Sequence, residues 1–522
     1  MKRRTVKKSS ALYWVILIAW ATLFGFAVAT AIPALTSEFH RQPFSGALEL
    51  GTLLFIGYFW LNGIKDVLYT AWYYLVMRRR TPTPPHRSPS PLEPRVVLVY
   101  CTRNDFNAGS LLASMQQHYS NVRSVILDDS NDPEYLTMID IFAATHDVEV
   151  VRRANHIGFK AGNLNNYLVG ADYDYFVILD SDEIIPPNFV NRMLDYFAAD
   201  PCVGIVQATH VATRNVTAFQ KKFSIGVNSH WPVYQAVKNR YGYMSLLGHG
   251  AMVSKQAFDA AGGFPLMVAE DLCFSLATRE HGYATVFAID VVCQEEFPVD
   301  YLAFRKRHSK WTQGNMEFIR KNTRPILTSR QLHWYEKLDI VLFTYALPLT
   351  AVFSLFVVVN VVVLPALGAS FMFPLWMLVP TVAFLLAPMA NDVIYHWSVM
   401  RHSSLLSYSG GSMMLYGSMF FTSLRSSLTS MFGNSVFLVT PKDSTAISFR
   451  EALRSTRAEL IFAAALALIS LVFTRSVFPV FLLVLPAMVA PYLMVRHQPK
   501  RSGLPARRQE LPTSDEQQVP AS

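Results

Sequence analysis

At 175–182 the chain reads Tyr-Phe-Val-Ile-Leu-Asp-Ser-Asp, an apolar run of strand length that ends in two carboxylates. Similar short apolar runs alternate with helical patterns through the central part of the chain. The predicted strands are Val96–Tyr100, Ser124–Leu127, Tyr175–Leu179, Gly204–Ala208 and Ala284–Ile289, and the predicted helices are Gly162–Val169, Asn188–Ala199 and Asp271–His281. Strands that alternate with helices predict an α/β domain with a mostly parallel, doubly wound sheet, which binds ligands at the carboxyl ends of its strands.

Apolar segments of membrane-spanning length lie on both sides of this region. A transmembrane helix needs about 20 apolar residues, and six segments qualify: Ala11–Leu35, Leu50–Val76, Leu338–Leu367, Met372–Met389, Leu460–Phe473 and Val477–Val495. The first could instead be a signal peptide, but its apolar stretch is longer than such peptides carry. Ser403–Gly433 is apolar yet rich in serine and glycine, so we predict an amphipathic helix at the membrane surface there rather than a further span.

These features divide the chain into seven parts. In order they are a basic N-terminal segment with two transmembrane helices (1–77), a linker (78–94), a cytoplasmic α/β domain (95–335), a transmembrane helix pair (336–402), an interfacial helix with the loop after it (403–450), a second transmembrane pair (451–496) and a disordered basic tail (497–522). The fold class predicted is thus an α/β domain inserted in a bundle of about six spans.

Composition agrees with a membrane protein. Of the 522 residues, 52% are hydrophobic and 16% are charged, which excludes a purely soluble or a disordered protein. The net charge of +9 comes from basic residues beside the apolar runs, as in Lys2–Lys8 and Arg78–Arg80. This pattern places those residues and the α/β domain in the cytoplasm and indicates contact with a lipid bilayer rather than with nucleic acid. The four cysteines show no CxxC pair, so neither a disulfide scaffold nor a zinc ribbon is expected.

Acidic residues follow two of the predicted strands. Asp180 and Asp182 are two positions apart in an extended segment, so both carboxylates can converge on one Mg²⁺ or Mn²⁺ ion together with substrate phosphates. The alternative is that they cap the helix near Pro186. Asp128 and Asp129 end another strand and can accept hydrogen bonds from a base or ribose, or simply form a turn.

Three further motifs carry charged or aromatic groups. Lys160–Asn165 opens a helix and places a lysine and free backbone N–H groups where an anion would be stabilised. Glu270 and Asp271 precede another helix, where a carboxylate can act as a general base or merely cap the helix. Arg307 and Lys310 lie on one helical face beside Trp311, whose indole could stack on a sugar or anchor the chain at a membrane interface.

Together, the order and spacing of these motifs resemble the processive family-two glycosyltransferases of the cellulose synthase type, over roughly residues 94–443. The string KAGNLN at 160–165 is similar to the family's letter for letter, and Ala269-Glu270-Asp271 resembles its TED motif. Gln207–His210 is similar to a QTxH-like segment, and Leu247–Gly250 to the FxGS-like acceptor loop. The Arg307–Trp311 stretch resembles Q/RxxRW, and Phe437–Lys442 resembles the FxVTxK gating loop.

The resemblance implies a GT-A-like nucleotide-diphospho-sugar transferase domain and a role for each matched residue. The implied roles are catalysis for Asp271 with Glu270; donor binding for Asp128, Asp129, Lys160, Asn163, Arg307 and Lys310; acceptor binding for Trp311, His249 and Gly250; gating for Phe437, Val439, Thr440 and Lys442; and metal binding for Asp180 and Asp182. The chain departs from the pattern at Lys310, at Ala269 and at Gly248-His249-Gly250, which leaves the acceptor and the linkage open. The Gly-His-Gly string and the Trp-Thr-Gln-Gly-Asn string at 311–315 are similar to osmoregulated periplasmic glucan synthases instead.

The function implied is an inverting transferase of the bacterial inner membrane that builds a β-glucan from a UDP-sugar, with UDP-glucose as the first expectation. A growing glycan is then the acceptor, and a periplasmic accessory subunit is expected by resemblance. Three alternatives remain: a nonprocessive transferase that acts on a lipid or short acceptor, a synthase that uses UDP-N-acetylglucosamine, and an export channel with a degenerate catalytic domain. Intact carboxylates at Asp180, Asp182 and Asp271 argue against the last.

Overall fold

The predicted sheet is present in the computed structural model, which describes residues 8–79, 84–86, 93–213, 217–369, 373–433 and 446–496. Its seven strands are β1 (Val96–Thr102), β2 (Val122–Asp128), β3 (Glu149–Arg152), β4 (Tyr175–Asp180), β5 (Val203–Ala212), β6 (Ala251–Ser254) and β7 (Ala284–Glu295), in the order β3-β2-β1-β4-β6-β5-β7. All five predicted strands are confirmed, while β3 and β6 were not predicted. Only β6 is antiparallel to its neighbours, so the sheet is mostly parallel, as expected.

The register of the sheet brings the acidic motifs to one edge. Thr102 of β1 is level with Asp128 at the end of β2, and Cys101 is level with Asp180 at the end of β4. Because these strands are parallel, their carboxyl ends point in the same direction, and the loops that follow them are neighbours. The two acidic motifs, which are far apart in the sequence, are therefore close together in the fold.

Both faces of the sheet are covered, which explains why its strands are continuous apolar runs. Alternate residues of β1 enter different cores, since Leu98 and Tyr100 pack on one face and Val97 and Val99 on the other. The helices of this domain are α3 (Ala108–Met115), α4 (Pro133–His146), α5 (Phe159–Leu168), α6 (Phe189–Ala199), α7 (Ala218–His230), α8 (Ala236–Tyr241), α9 (Lys255–Ala261) and α10 (Glu270–Glu280). The predicted α/β fold class with a mostly parallel, doubly wound sheet is confirmed.

Six helical segments are long and apolar enough to cross a membrane among the residues described. They are α1 (Ala11–Arg41); α2 (Pro43–Trp72) with the π-helical turn Tyr73–Met77; α13 (Ala346–Val358) with the π-helical turn Val359–Val363 and α14 (Leu364–Ala366); the 3₁₀ turn Leu375–Met377 with α15 (Leu378–His396); α19 (Arg457–Thr474); and the 3₁₀ turn Phe478–Val480 with α20 (Phe481–Arg496). The prediction of about six spans is confirmed at the level of length and composition. The connecting helices are α11 (Tyr301–Thr328), α12 (Trp334–Thr344), α16 (His402–Gly417), α17 (Phe420–Phe432) and α18 (Phe449–Ser455).

Two predicted helices are divided in the structure. The third span begins at Ala346 rather than at Leu338, because α12 ends at Thr344 and Pro348 lies in the first turn of α13, where its missing N–H is tolerated. The predicted single helix at 403–433 is two helices, α16 and α17. Near the break, Ser418 accepts a hydrogen bond from the Tyr301 hydroxyl at 2.8 Å.

The serines of α17 pack against α11 of the α/β domain. The Ser423 hydroxyl lies 2.8 Å from His308 Nε2, and the Ser426 hydroxyl lies 2.8 Å from that of Ser309. This polar contact accounts for the serine-rich composition that suggested a membrane-surface helix. The predicted gating loop Phe437–Lys442 and the predicted tail at 497–522 lie outside the described residues.

Candidate active site

A cavity of about 1360 Å³ joins the carboxyl edge of the sheet to the space between the membrane helices. The predicted site residues that line it are Asp129, Lys160, Asn163, Asp180, Asp182, His249, Glu270, Asp271, Arg307, Lys310 and Trp311. They come from six separate segments of the chain, which the sheet and the helices packed on it bring together. Asp128 and Gly250 are buried behind this wall.

The two aspartates after β2 have different surroundings. Asp128 is buried, and its carboxylate accepts a 2.7 Å bond from Arg152 Nε and a 2.8 Å bond from the Ser130 N–H. Asp129 lines the cavity and is held by Arg153, whose Nε lies 2.8 Å from Asp129 Oδ1. Asp128 therefore supports the edge of the sheet, whereas Asp129 faces the ligand space. The two arginines were not predicted, because their partners are set by the register of the short strand β3.

The two aspartates after β4 provide oxygen ligands on the cavity wall. Asp182 Oδ2 accepts a 2.9 Å bond from the Glu296 N–H, and Asp180 forms an ion pair with Lys160. Two carboxylates on one wall of the cavity, with room for a diphosphate beside them, are suitable ligands for a hard cation such as Mg²⁺ or Mn²⁺. The capping alternative is wrong, because α6 begins at Phe189 with Asn188 at its N-cap.

Lys160 spans the gap between the two aspartates after β4 and the predicted acceptor loop. Besides its ion pair with Asp180, its ammonium group donates a 2.9 Å bond to the Gly248 carbonyl. Burial alone would lower the pKa of Lys160, but the Asp180 carboxylate raises it above its ordinary value, so the lysine stays charged. Its helix does begin at the predicted place, since α5 starts at Phe159. The side chain of Asn163 in the same helix is buried against the cavity, and within the described part of the chain its Oδ1 has no hydrogen-bond partner.

The first turn of α10 presents two adjacent carboxylates. Burial and repulsion from Asp271 raise the pKa of Glu270 to about 7, and burial also raises the pKa of Asp271. Asp271 Oδ1 accepts a 2.8 Å bond from the Leu272 N–H, so it partly satisfies the helix terminus. Its Oδ2 faces the acceptor loop, where a β-carbon on Gly248 would lie 3.6 Å away. A carboxyl group with a raised pKa in such a place suits a general base.

The cations and the indole of α11 form the opposite wall. The guanidinium of Arg307 lies 4.4 Å from the centre of the Trp311 ring, which is a cation–π contact. Burial lowers the pKa of Lys310, while Glu270 and Asp180 oppose this effect. Trp311 is 41% exposed and lines the cavity, so its ring is open to a ligand.

His249 is surrounded by groups that sequence reasoning did not select. Its Nδ1 lies 2.9 Å from Glu183 Oε2, and its Nε2 lies 3.3 Å from Glu295 Oε2. Burial opposes protonation, but the carboxylates of Glu183 and Asp180 raise the pKa of His249 well above its ordinary value. Burial alone would raise the pKa of Glu295, but the facing imidazoles of His210 and His249 lower it well below its ordinary value. Glu183 directly follows the Asp-Ser-Asp motif, and this adjacency was the signal available in the sequence.

Polar residues also line the membrane part of the cavity. Asp392 of α15 accepts hydrogen bonds from the hydroxyls of Tyr408, at 2.7 Å, and Ser229. Lys65 and Asp66 of α2 form an ion pair with a 3.0 Å separation, and both line the cavity. Polar groups inside membrane helices are costly unless they serve a ligand path or one another. None of these residues was predicted as a site residue from the sequence.

Comparison with known proteins relates the chain to glycosyltransferases. Residues 175–391 match the family model described as glycosyl transferase family group 2. The chain is 24% identical over 227 residues to probable glucomannan 4-beta-mannosyltransferase 1 of Arabidopsis thaliana, which covers 41% of each chain. It is 25% identical over 227 residues to probable glucomannan 4-beta-mannosyltransferase 9 of Oryza sativa subsp. japonica, which covers 41% of this chain and 43% of that one.

The match thus spans about two fifths of the length of these curated relatives. Among solved structures, the chain is similar to mannosyltransferase PcManGT from Pyrobaculum calidifontis in complex with GDP-Man and Mn²⁺, with 17% identity, a TM-score of 0.44 and coverage of 72% of this chain and 99% of that chain. The predicted relation to glycosyltransferases is confirmed for the matched residues. The narrower type, processive and bacterial, stays a prediction.

Proposed function

We propose that this chain is an inverting glycosyltransferase of the bacterial inner membrane that polymerises sugar from a UDP-sugar, in the first place UDP-glucose, into a β-glucan. The observation that carries the proposal is the continuous cavity, which is lined by carboxylates and cations at the sheet edge and by polar side chains between the membrane helices. A site that handles a nucleotide diphosphate needs the first set. A polyhydroxyl product that leaves through the bilayer needs the second.

The donor is expected to bind across the carboxyl edge of the sheet. Asp129 would receive the base or ribose, and Lys160 and Asn163 would lie near the diphosphate. Asp180 and Asp182 would hold the divalent cation, which, when bound, supplies positive charge against the developing charge of the leaving diphosphate. Arg307 and Lys310 would contribute further positive charge from the facing helix, in a buried place where such charges act strongly.

Transfer would proceed in a single displacement. Asp271 takes the proton from the acceptor hydroxyl, whose oxygen forms a bond to the anomeric carbon while the bond from that carbon to the diphosphate oxygen breaks. Attack from the face opposite the leaving group inverts an α-linked donor into a β-linked product. Asp271 is the better placed of the two carboxylates, because its Oδ2 faces the acceptor loop at Gly248. Glu270, whose pKa is raised to about 7, would set the electrostatic field next to it.

The acceptor would lie against Trp311 and then follow the cavity between the membrane helices. An exposed indole that lines the cavity offers a flat apolar face to a sugar ring. Along the membrane path, Asp392 and Tyr408 would exchange hydrogen bonds with sugar hydroxyls. The role of Phe437, Val439, Thr440 and Lys442 as a gate over the donor stays part of this proposal, as does a periplasmic accessory subunit.

A second donor class is supported by a separate observation, because the curated relatives in the comparison are named as mannosyltransferases. A nucleotide-mannose donor would use the same carboxylates and the same base. The two donors differ only in the base and in the stereochemistry of the sugar. The sequence motifs distinguish poorly between donors that differ in these two features.

The test is release of nucleoside diphosphate by the purified protein in lipid vesicles. UDP-glucose, UDP-N-acetylglucosamine and GDP-mannose are each offered with Mg²⁺ or Mn²⁺, and any product is digested with linkage-specific glucanases and mannanases. We expect turnover of UDP-glucose with a long, glucanase-sensitive product. Turnover of GDP-mannose alone would show that the donor is a nucleotide-mannose and not UDP-glucose. A short or lipid-linked product would show that synthesis is nonprocessive. Absence of turnover with every donor, in a protein that still binds them, would contradict an enzymatic role.

A further inference from the structure

Four titratable side chains meet beside Asp180, and one of them, His249, is a predicted acceptor residue. Glu183 follows β4, His210 lies in β5, His249 precedes β6, and Glu295 ends β7. One possible ligand atom from each of Glu183, His210 and His249 lies within 4.8 Å of those of the other two. His249 Nδ1 is 2.9 Å from Glu183 Oε2, and His210 Nε2 is 4.0 Å from Glu183 Oε1. Two ligands of one tetrahedral zinc ion lie about 3.4 Å apart, so the spacing is close to that of a metal site.

Two atoms of this cluster are buried and have no hydrogen-bond partner among the residues that the structure describes. They are Glu183 Oε1 and His210 Nδ1, and the two residues are 0% and 1% exposed. A buried carboxylate oxygen without a donor is unfavourable, and structures rarely keep one unless it serves a purpose. The unpartnered oxygen of Glu183 is the one that faces His210 Nε2, so it is directed at the centre of the cluster.

Glu295 accounts for the remaining ring nitrogens. One of its oxygens, Oε1, lies 3.7 Å from His210 Nδ1, and the other, Oε2, lies 3.3 Å from His249 Nε2. Each histidine therefore presents one nitrogen to Glu295 and the other to Glu183. A carboxylate behind each imidazole is how proteins fix the tautomer and the orientation of a metal-binding histidine.

The backbone gives these side chains their places. Ile184 and Gln294 exchange two backbone hydrogen bonds of 2.9 Å, which set Glu183 and Glu295 side by side. The Gln207 side chain donates a 2.9 Å bond to the His249 carbonyl and accepts a 2.8 Å bond from the Leu247 N–H, which fixes the loop that carries His249. Its amide nitrogen also lies 3.1 Å from His210 Nε2, but it has the carbonyl of His249 as a closer acceptor.

Gly250 keeps a side chain out of the cluster. A β-carbon at this position would lie 2.4 Å from both Glu183 Oε1 and His210 Nε2, so any other residue would fill the space between the two atoms. Its φ of +60° also lies in the left-handed region that favours glycine. Gly250, a predicted acceptor residue, thus leaves open space between Glu183 Oε1 and His210 Nε2.

We propose that Glu183, His210 Nε2 and His249 Nδ1 bind a first-row transition-metal dication, of which Zn²⁺ is the representative, at a site separate from the cation at Asp180 and Asp182. Two imidazoles with a carboxylate select such ions over Mg²⁺ and Ca²⁺, which prefer oxygen ligands alone. Glu295 holds both histidines from behind. The ion fastens the acceptor loop at 247–250 to the donor edge of the sheet, and its binding requires neither nucleotide nor acceptor.

The test uses the purified full-length protein in detergent without nucleotide. After removal of metals with a chelator, Zn²⁺ is titrated back, and bound zinc is measured by mass spectrometry with about a thousandfold excess of Mg²⁺ present. We expect roughly one equivalent of zinc. Glu183→Gln and His210→Gln should weaken binding by at least about tenfold. His230→Gln is the matched control, because it removes a histidine that lines the cavity on α7 but lies outside the cluster.

Unchanged zinc binding in the Glu183 and His210 variants, or less than about a tenth of an equivalent in the wild type, would overturn the proposal. If either variant fails to fold, the X-ray absorption spectrum of the zinc-loaded wild type tests the site by itself. A spectrum that shows two imidazole ligands at the zinc supports the site, and one that shows fewer contradicts it. Neither readout depends on glycosyl transfer, so a failure here is distinct from a failure of the proposed function.

Discussion

The sheet edge and the wall formed by α15 and α16 hold their carboxylates in different ways. At the sheet edge Asp129 is paired with Arg153 and Asp180 with Lys160, so each of these two negative charges meets a full positive one. On the wall formed by α15 and α16, Asp392 accepts hydrogen bonds from the hydroxyls of Ser229 and Tyr408. Charge pairs can be exchanged for a charged ligand, whereas hydroxyl partners resemble the hydroxyls of a sugar. The comparison separates a region suited to a nucleotide diphosphate from one suited to a neutral glycan.

The largest effect is expected at the proposed base. Asp271→Asn removes the proton acceptor while it keeps the size of the side chain, so turnover should fall by about 10²–10⁴-fold. Donor affinity, measured by calorimetry, should change by no more than about twofold, because the charge pairs of the sheet edge remain. A variant that keeps a tenth of the wild-type turnover would remove Asp271 from this role.

The charge pair at Asp129 should be important for stability. Arg153→Met leaves a buried carboxylate without its cation, and we expect the free energy of unfolding to fall by about 3–5 kcal/mol. Arg123→Met is the control, since Arg123 pairs with Glu149 in an exposed place where the loss should be below about 1 kcal/mol. Chemical unfolding in detergent, followed by tryptophan fluorescence, measures both. Equal losses would show that the sheet edge does not depend on its buried pairs.

Glu270 should make the stability of the folded protein depend on pH. Because its pKa is raised from 4.5 to about 7 in the folded protein, the native state binds a proton that the unfolded state has released in this window. Stability should therefore decrease as the pH rises from 4.5 to 7, by at most about 1.4 kcal/mol per pH unit from this group. Glu270→Gln should remove that slope and be more stable than the wild type at pH 8. Parallel stability curves for the two proteins would contradict the assignment.

The smallest effect is expected at the membrane end. Tyr408→Phe removes one hydrogen bond to Asp392, which is worth about 1 kcal/mol. Donor hydrolysis should be unchanged, while mean product length should shorten by roughly fivefold or less, because the glycan path loses one partner. Tyr395→Phe is the control, because Tyr395 is an exposed tyrosine on α15, the helix that carries Asp392. A change in the donor affinity of Tyr408→Phe would contradict the separation between a donor-binding sheet edge and a glycan-binding membrane region.

The long elements of the fold followed from the sequence because their apolar patterns are local. Five strands and six spans were predicted, whereas β3 and β6, each four residues long, carry too little pattern to be seen. The division between α12 and α13 was missed because both sides are apolar. Pro348 was the available signal.

The site was predictable where a motif itself contains the chemistry, as with Asp180, Asp182 and Asp271. The site was not predictable where the partner of a side chain is set by tertiary contacts between distant segments. Asp128 and Asp129 look equivalent in the sequence, but the register with β3 sets Arg152 level with Asp128, whose buried carboxylate it holds, while Asp129 lines the cavity. Glu183 and Glu295 lie far apart in the chain and meet only through the backbone pair of Ile184 and Gln294. No local pattern contains that information.

Lys160 gives Asp180 an internal counterion. Under the proposed function, a cation that arrives with a diphosphate would replace an ammonium group that remains tethered to α5. The displaced ammonium would then be available to the diphosphate itself, so that one positive charge at Asp180 would be exchanged for another. Free divalent cations without a nucleotide should therefore bind weakly to Asp180, and the nucleotide is what makes the exchange favourable.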